Sequence, residues 1–353
     1  MHVNRDFGKR VTFGLVALAW LSLAPPSLAS VTDDLRFETS SFMKSSSYRR
    51  PDRVAADTSP NGAISRVNIE WEQAHAGSWY IEEQRYGADA ICAGLAQHDT
   101  AAIDRGLKGL QWGFEQQQPD GSFNCPDAFH STSFFVEAAA RACLLLGASE
   151  YANQYASQVD GMKPRILKAA LWMIQPAIEE QGKRRNIPYT HRRYLVAAAL
   201  GEAGVLNGNQ ALVDHSKNYV REGITLQQPD GVNPEKGGYD CSYQAAGLYY
   251  AECYYDLVAD QEMKSVLRPM LEKGFTWLRS RVMPDGTMDV SGNTRVGGGQ
   301  EQGRNAAPKK INYGIIYRGF YHWSLISDDS NYAQVAQQVV KGEEIYKRQF
   351  KPS

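Results

Sequence analysis

The chain has 353 residues, with 38 Lys and Arg against 39 Asp and Glu and a formal net charge of −1. So even a balance supplies no basic stripe of the kind a nucleic-acid partner requires, although it leaves a local basic patch open. Hydrophobic residues make up 43% of the chain, enough for the core of one large domain or of a continuous array of repeats.

From the N-terminus, Arg5, Lys9 and Arg10 form a basic region ahead of an apolar run from Val11 to Ala24. Ser27-Leu28-Ala29 offers small residues for cleavage, so residues 1–29 read as an export signal and Ser30 as the mature start. The apolar run is about 14 residues, short for a bilayer span, which makes an uncleaved anchor the weaker alternative. The expected location is periplasmic or extracellular, with no membrane attachment after cleavage. Residues 30–59 are polar, rich in Ser, Asp and Arg, and carry no clear period; they read as an arm leading into the fold. Residues 60–353 then form a single domain.

Pro-Asp-Gly recurs at 119–121, 229–231 and 284–286, at spacings of 110 and 55 residues. Glu180-Gln181-Gly182 fills the missing place as a degraded copy, and Pro60-Asn61-Gly62 is a fainter one. A fixed period of this size marks a repeat architecture. Proline supplies a fixed φ and Asp-Gly tolerates positive φ, so the corner is a tight helix exit. Asp120, Asp230 and Asp285 are therefore read as architectural, since a catalytic acid is needed once and not at every corner.

Helices are expected over Ala101–Gln117, Lys163–Ile178, Leu212–Leu226 and Met263–Val282 before the corners. Others follow them over Trp79–Gln97, Ser131–Leu146, Thr190–Val205, Ser242–Leu257 and Tyr313–Ile326. Ala- and Leu-rich runs favour helix, and the near absence of β-branched alternation argues against strands. Helix pairs that bury a face only against their neighbours must stack. The long Gly-rich loops after the corners (233–240 and 287–312) favour closure into a ring with its site on one rim. The expected fold is thus all-α, an incomplete (α/α)5–6 barrel of helix hairpins about 55 residues long. Cys92, Cys143 and Cys253 fall in apolar helical stretches and read as buried; Cys125 and Cys241 each follow a corner, so they are either bridged or free.

Gln116-x-x-Pro119-Asp120-Gly121-Ser122-Phe123, followed by His130-Ser131-Thr132-Ser133 and an Ala-rich helix, resembles the corner of α/α-toroid proteins. These include terpene cyclases, prenyltransferase β-subunits, glycoside hydrolases and polysaccharide lyases. The resemblance covers roughly residues 60–350 as architecture and is weak for activity. The chain lacks the Asp-x-Asp-Asp motif of the cyclases, and no Cys/His/Asp zinc set of the prenyltransferase kind assembles. With export, what the resemblance leaves is carbohydrate chemistry.

Aligned corners place one rim at His130; at Asn186, Tyr189, His191, Arg192 and Arg193; at Tyr239, Asp240, Tyr243 and Gln244; and at Asn312, Tyr313 and Tyr317. This set is rich in Tyr, His, Arg and Asn. Glycoside hydrolysis requires two carboxyl groups across the scissile bond. β-Elimination from a uronate requires a neutralised carboxylate, a base for the C5 proton and an acid for the leaving oxygen. Asn186 to Arg193 supplies every such side chain in eight residues, and is similar to the Asn/His/Tyr/Arg kit of toroid polysaccharide lyases. Tyr243 and His191 are the expected acid and base, with Tyr239 and Tyr189 next. Asn186, Arg192, Arg193, His130, Gln244, Asp240 and Tyr313 are expected to bind substrate. The segment Arg295–Arg304, with Lys309-Lys310, reads either as a clamp on an acidic polymer or as a surface loop. Tyr80, Tyr249, Tyr250 and Trp79 read as sugar-stacking platforms or as core.

The expected activity is a secreted lyase on an acidic polysaccharide, with no cofactor and no metal motif. Two alternatives stay open. One is a toroid hydrolase using Glu82, Glu83, Asp127, Asp240 or Glu301; the other is a non-catalytic polysaccharide-binding protein.

Overall fold

Thirteen α-helices carry the described part of the chain, and its only β pairing consists of isolated bridges. The computed structural model describes residues 28–65, 80–297, 301–302 and 308–348. Residues 1–27 of the expected export signal, Trp79 and Arg304 lie outside them. Helices α1 (Leu28–Glu38) and α2 (Ser41–Ser45) come first, and a 3-10 turn at Ile81–Arg85 leads into α3 (Tyr86–Gln97) and α4 (Thr100–Glu115). Then come α5 (Ala128–Ala148), α6 (Ala152–Met173), α7 (Pro176–Asn186), α8 (His191–Asn207) and α9 (Gln210–Leu226). The series ends with α10 (Cys241–Leu257), α11 (Gln261–Ser280), α12 (Tyr313–Ser327) and α13 (Ser330–Arg348).

Composition decides which helices lie inside. The Ala-rich α5 and α8 and the Tyr-rich α10 are buried on almost every face, as helices without a polar side must be. Helices α4, α9 and α11 carry one apolar stripe and end at Pro-Asp-Gly corners. Packing follows from this division. Helix α3 packs on α4, α5 on α6, α8 on α9, α10 on α11 and α12 on α13. The buried members also touch in series, α3 on α5, α5 on α8, α8 on α10 and α10 on α12.

The corners share one geometry. Gly121, Gly231 and Gly286 have φ of +99°, +96° and +87°, and Gly62 has +102°. In the three Pro-Asp-Gly turns the aspartate Oδ1 accepts from the backbone nitrogen two residues on, at Ser122, Val232 and Thr287. Each of the four glycines presses on the backbone of the next one-faced helix, at Lys108, Lys168, Lys273 and Gln338. A Cβ at any of them would collide with a main-chain carbonyl. The structure thus bears out the architectural reading of these aspartates.

Residues 176–186 correct the degraded corner: they are α7, with Pro176 in its first turn, and Gly182 sits in mid-helix against the Phe129 ring. Proline is at home where the helix N–H has no partner. Helix α6 starts eleven residues before the expected Lys163 and runs through Pro164. Tyr155, Val159, Met162 and Ile166 keep a buried stripe on both sides of that exposed proline, which holds the helix together. Helix α13 was not among the expected elements. All five cysteines are free thiols, so no Cys125–Cys241 bridge forms; Cys92, Cys143 and Cys253 are buried as expected.

The polar segment 30–59 is the largest correction. Helix α1 packs on α3, α5 and α10. Phe37, which is wholly buried, stacks on His322 of α12 at 4.1 Å. Asp34 and Glu38 are also fully buried. Arg141 of α5 donates to Asp34 (2.8 and 2.7 Å) and to Glu38 (2.8 Å), and Arg49 Nε donates to Glu38 at 2.6 Å. What reads as a polar leader is half of an internal ion-pair network, and polarity hid it from a hydrophobicity reading.

Candidate active site

His191 is the first residue of α8, and only 2% of it is exposed. The turn ahead of it is tied to the loop after the second Pro-Asp-Gly corner: Thr190 Oγ1 donates to the Pro234 carbonyl at 2.7 Å, and Tyr189 bridges to Glu235. This brings the buried Glu235 against the helix start. Its Oε1 accepts the His191 backbone N–H at 3.0 Å and lies 2.6 Å from Nδ1. A carboxylate on Nδ1 fixes the tautomer with its proton there, leaving the Nε2 lone pair. Burial lowers the His191 pKa and outweighs the opposing pull of Glu235, so the imidazole is neutral near pH 7.

The Tyr243 ring, one turn into α10, lies 4.8 Å from the His191 ring. The Arg295 guanidinium sits 3.4 Å above the Tyr243 ring and 4.8 Å from that of Tyr189. Arg295 also reaches Glu235 at 3.2 Å and forks onto Glu301 at 2.8 and 3.0 Å. Lys309 donates to the Tyr243 hydroxyl at 3.0 Å and also pairs with Glu301. Burial alone would raise the Glu301 pKa, but Arg295, Lys309 and Lys236 hold it well below the usual carboxylate range. The tyrosine thus meets one cation at its hydroxyl and another over its ring, and a single ionised carboxylate gathers both.

Apart from Glu235 and Lys236, these groups line a cavity of about 830 Å³. The lining also includes His130, whose ring is tilted against Phe134 at 4.7 Å, and Arg85, whose guanidinium lies 4.7 Å from the same ring. Arg141, Arg318, Tyr249 and Glu137 also line the cavity. Burial raises the Glu137 carboxyl to about 7, although Arg141 and Arg318 pull the other way. Tyr48 and Arg53 of the N-terminal segment border the cavity, and Tyr48 donates to Asn312 Oδ1 at 3.0 Å.

The structure brings together Tyr243, His191, Tyr189, Arg192, Arg295 and His130 at this cavity. It also places the hydrolase candidates Glu82, Glu83, Asp127 and Glu301 there, with Lys309, while six other expected residues lie elsewhere. The Tyr239 hydroxyl donates to the Ser291 carbonyl at 2.5 Å, and its ring packs on Trp277. Asn186 is buried and accepts from Arg192 Nη1 at 3.0 Å. Arg193 spends its donors on the Asn186 and Tyr189 carbonyls and on Glu222. Gln244 is buried, with Oε1 accepting from Asn233 N at 2.8 Å and Nε2 donating to the Gly231 carbonyl at 2.9 Å. Asp240 caps α10 through Ser242 N and Tyr243 N, and its other oxygen accepts from Arg295 N and Val296 N. The Tyr313 hydroxyl accepts from Met288 N at 3.1 Å. These six carry the loops that shape the wall and do not line it.

Glu235, Glu137, Arg85, Arg141 and Arg318 are the site groups that sequence reasoning missed. Glu235 stands two residues before the glycine pair 237–238 with no motif around it, and only the fold shows that it meets His191. Tyr249, with Arg318 donating to its hydroxyl, and Tyr250 line the cavity while remaining nearly buried. No family model, no curated protein and no solved structure matches the chain.

Proposed function

We propose that the protein is an exported lyase that cleaves an acidic, uronic-acid-containing polysaccharide by β-elimination. We propose too that α3, α5, α8, α10 and α12 form the inner wall of an incomplete α/α toroid, with α4, α6, α9, α11 and α13 outside. The serial contacts of the buried helices and the shared corner geometry support that arrangement. The observation that carries the activity is the His191–Tyr243 pair, one neutral base and one phenol, flanked by Arg295 and Lys309.

Elimination removes the C5 proton of a uronate, forms the C4–C5 double bond and breaks the C4–O bond, whose oxygen takes up a proton. His191 Nε2 is the base, since Glu235 holds the proton on Nδ1. Tyr243 is the acid for the departing oxygen, and Lys309 on its hydroxyl stabilises the charge that this leaves. Arg192, which lines the cavity with its guanidinium 4.3 Å from the Tyr189 ring, faces the substrate carboxylate. Eight arginines and lysines border the cavity against six carboxyl groups, an excess of cation that suits a polyanionic ligand.

The test is a panel of uronic-acid polymers followed by the ultraviolet absorbance of the unsaturated product. Tyr243→Phe and His191→Ala are each expected to lower the rate about 10²–10⁴-fold. A second reading has its own observation: Glu137, buried in the wall and held protonated up to about pH 7, is in the state a hydrolase acid needs. New reducing ends without ultraviolet absorbance, abolished by Glu137→Gln, would replace the lyase by that hydrolase. Binding with neither product would leave a polysaccharide-binding protein.

A further inference from the structure

Behind the cavity wall lies a second polar cluster that the proposed chemistry does not use. Asp34 of α1, Glu252 and Asp256 of α10 and His322 of α12 converge there, exposed by 0%, 0%, 6% and 1%. One ligating atom each from Asp34, Asp256 and His322 lies within 4.8 Å of the other two. Glu252 and Asp256 are four residues apart and share a helix face. His322 Nε2 is 2.8 Å from Asp256 Oδ2, and His322 Nδ1 is 3.9 Å from Glu252 Oε2.

Two features point to a ligand. Among the described residues, both Glu252 oxygens and His322 Nδ1 are buried without a hydrogen-bond partner. Polar atoms in that condition are costly and normally satisfied. The second is geometry. Among the described residues no arginine bonds Glu252, and its Oε2 lies 3.9 Å from His322 Nδ1, so the unpartnered atoms of the two side chains lie together.

We infer that this cluster binds a divalent transition ion of the zinc or manganese class, with Glu252, Asp34 and His322 Nδ1 as ligands. Asp256, accepting from Nε2–H, fixes the imidazole from behind, the carboxylate–histidine–metal arrangement that sets tautomer and ring direction. One imidazole nitrogen among carboxylates suits zinc or manganese; calcium takes six to eight oxygens. Arg141 already donates to both Asp34 oxygens, and a carboxylate retains lone pairs for a further partner. The ion ties α1 to α10 and α12. Because the acids of α1 also hold Arg141 and Arg318 at the cavity, the site anchors that wall whatever reaction occurs there.

The experiment uses tag-free mature protein. Elemental analysis after desalting is expected to find close to one zinc or manganese per chain. Chelated protein is then melted with zinc, manganese or calcium chloride. Zinc or manganese at about 100 times its dissociation constant should raise Tm by about 5 °C, and calcium should not. Glu252→Gln and His322→Gln should lose both the bound metal and the shift. The chelated wild type decides the question by itself should either variant fail to fold. A wild type with no stoichiometric metal, melting alike in zinc, manganese and calcium, would overturn the site. So would a Glu252→Gln variant that matches the wild type in metal content and shift.

Discussion

Asp240 was a candidate both for substrate binding and, in the hydrolase reading, for catalysis, yet the structure gives it four backbone hydrogen bonds and no exposure. Replacing it with alanine removes an N-cap, worth about 1 kcal/mol. It also leaves the buried N–H groups of Arg295 and Val296 unsatisfied, at about 1–3 kcal/mol each. Allowing for water entering the space, the loss comes to about 3–4 kcal/mol. At about 2 °C per kcal/mol for a chain of this size, Tm falls by about 6–8 °C. Asp240→Asn keeps one acceptor oxygen and turns an NH2 toward the other pair of donors, so it should lose about half as much. Denaturant titration of both variants measures these values, with the slope checked for an unchanged m. A loss below about 1 kcal/mol for Asp240→Ala, with activity abolished, would refute the structural role and return Asp240 to the chemistry.

Two further predictions concern the buried charges. Glu202 is wholly buried without a hydrogen-bond partner among the described residues, and burial raises its pKa well above the ordinary 4.5. The folded state therefore binds a proton that the unfolded state releases above pH 4.5, and stability falls as pH rises. Glu202→Gln should be more stable than the parent, with a gain that grows from pH 5 to pH 8 by up to about 1.4 kcal/mol per unit; a gain independent of pH in denaturant melts would contradict this. Glu38 is the opposite case. Burial disfavours its charge, but Arg49, Arg141 and Arg318 outweigh that and hold its pKa far below 4.5. Its contribution is complete above about pH 4.5 and is lost on acidification. Glu38→Ala, which strands Arg49 and Arg141, should cost about 3–5 kcal/mol at pH 7 and flatten the acid limb of the stability profile. Limited proteolysis should then cut within residues 30–59, and a variant as resistant as the parent would show that α1 does not depend on this pair.

Local signals carried the parts of this protein that obey local rules. Alanine-rich runs forecast α5 and α8, and Pro-Asp-Gly with its left-handed glycine forecast the corners, because backbone conformation is decided within a few residues. His191, Tyr243 and Arg295 were legible as candidates from residue type and position after a corner. The sequence could not show which neighbours have their hydrogen bonds spent inside the fold. Asn186, Arg193, Gln244, Tyr239 and Tyr313 have the right chemistry, but their polar atoms are used by backbone groups, Arg192 or Glu222.

By itself, then, the sequence determined an all-helical chain and its turn chemistry and named His191, Tyr243 and Arg295 as candidates, but the cavity around them also takes in the carboxylates Glu82, Glu83, Asp127 and Glu301. Tertiary structure alone decided that Glu235 meets His191 across 44 residues and that Lys309 reaches Tyr243 across 66. It also decided that a polar leader becomes a helix with one buried face. Charges are read as surface because burying one is costly. Asp34 and Glu38 are inside because Arg141 and Arg49, distant or unremarkable in the sequence, arrive beside them only when the chain has folded.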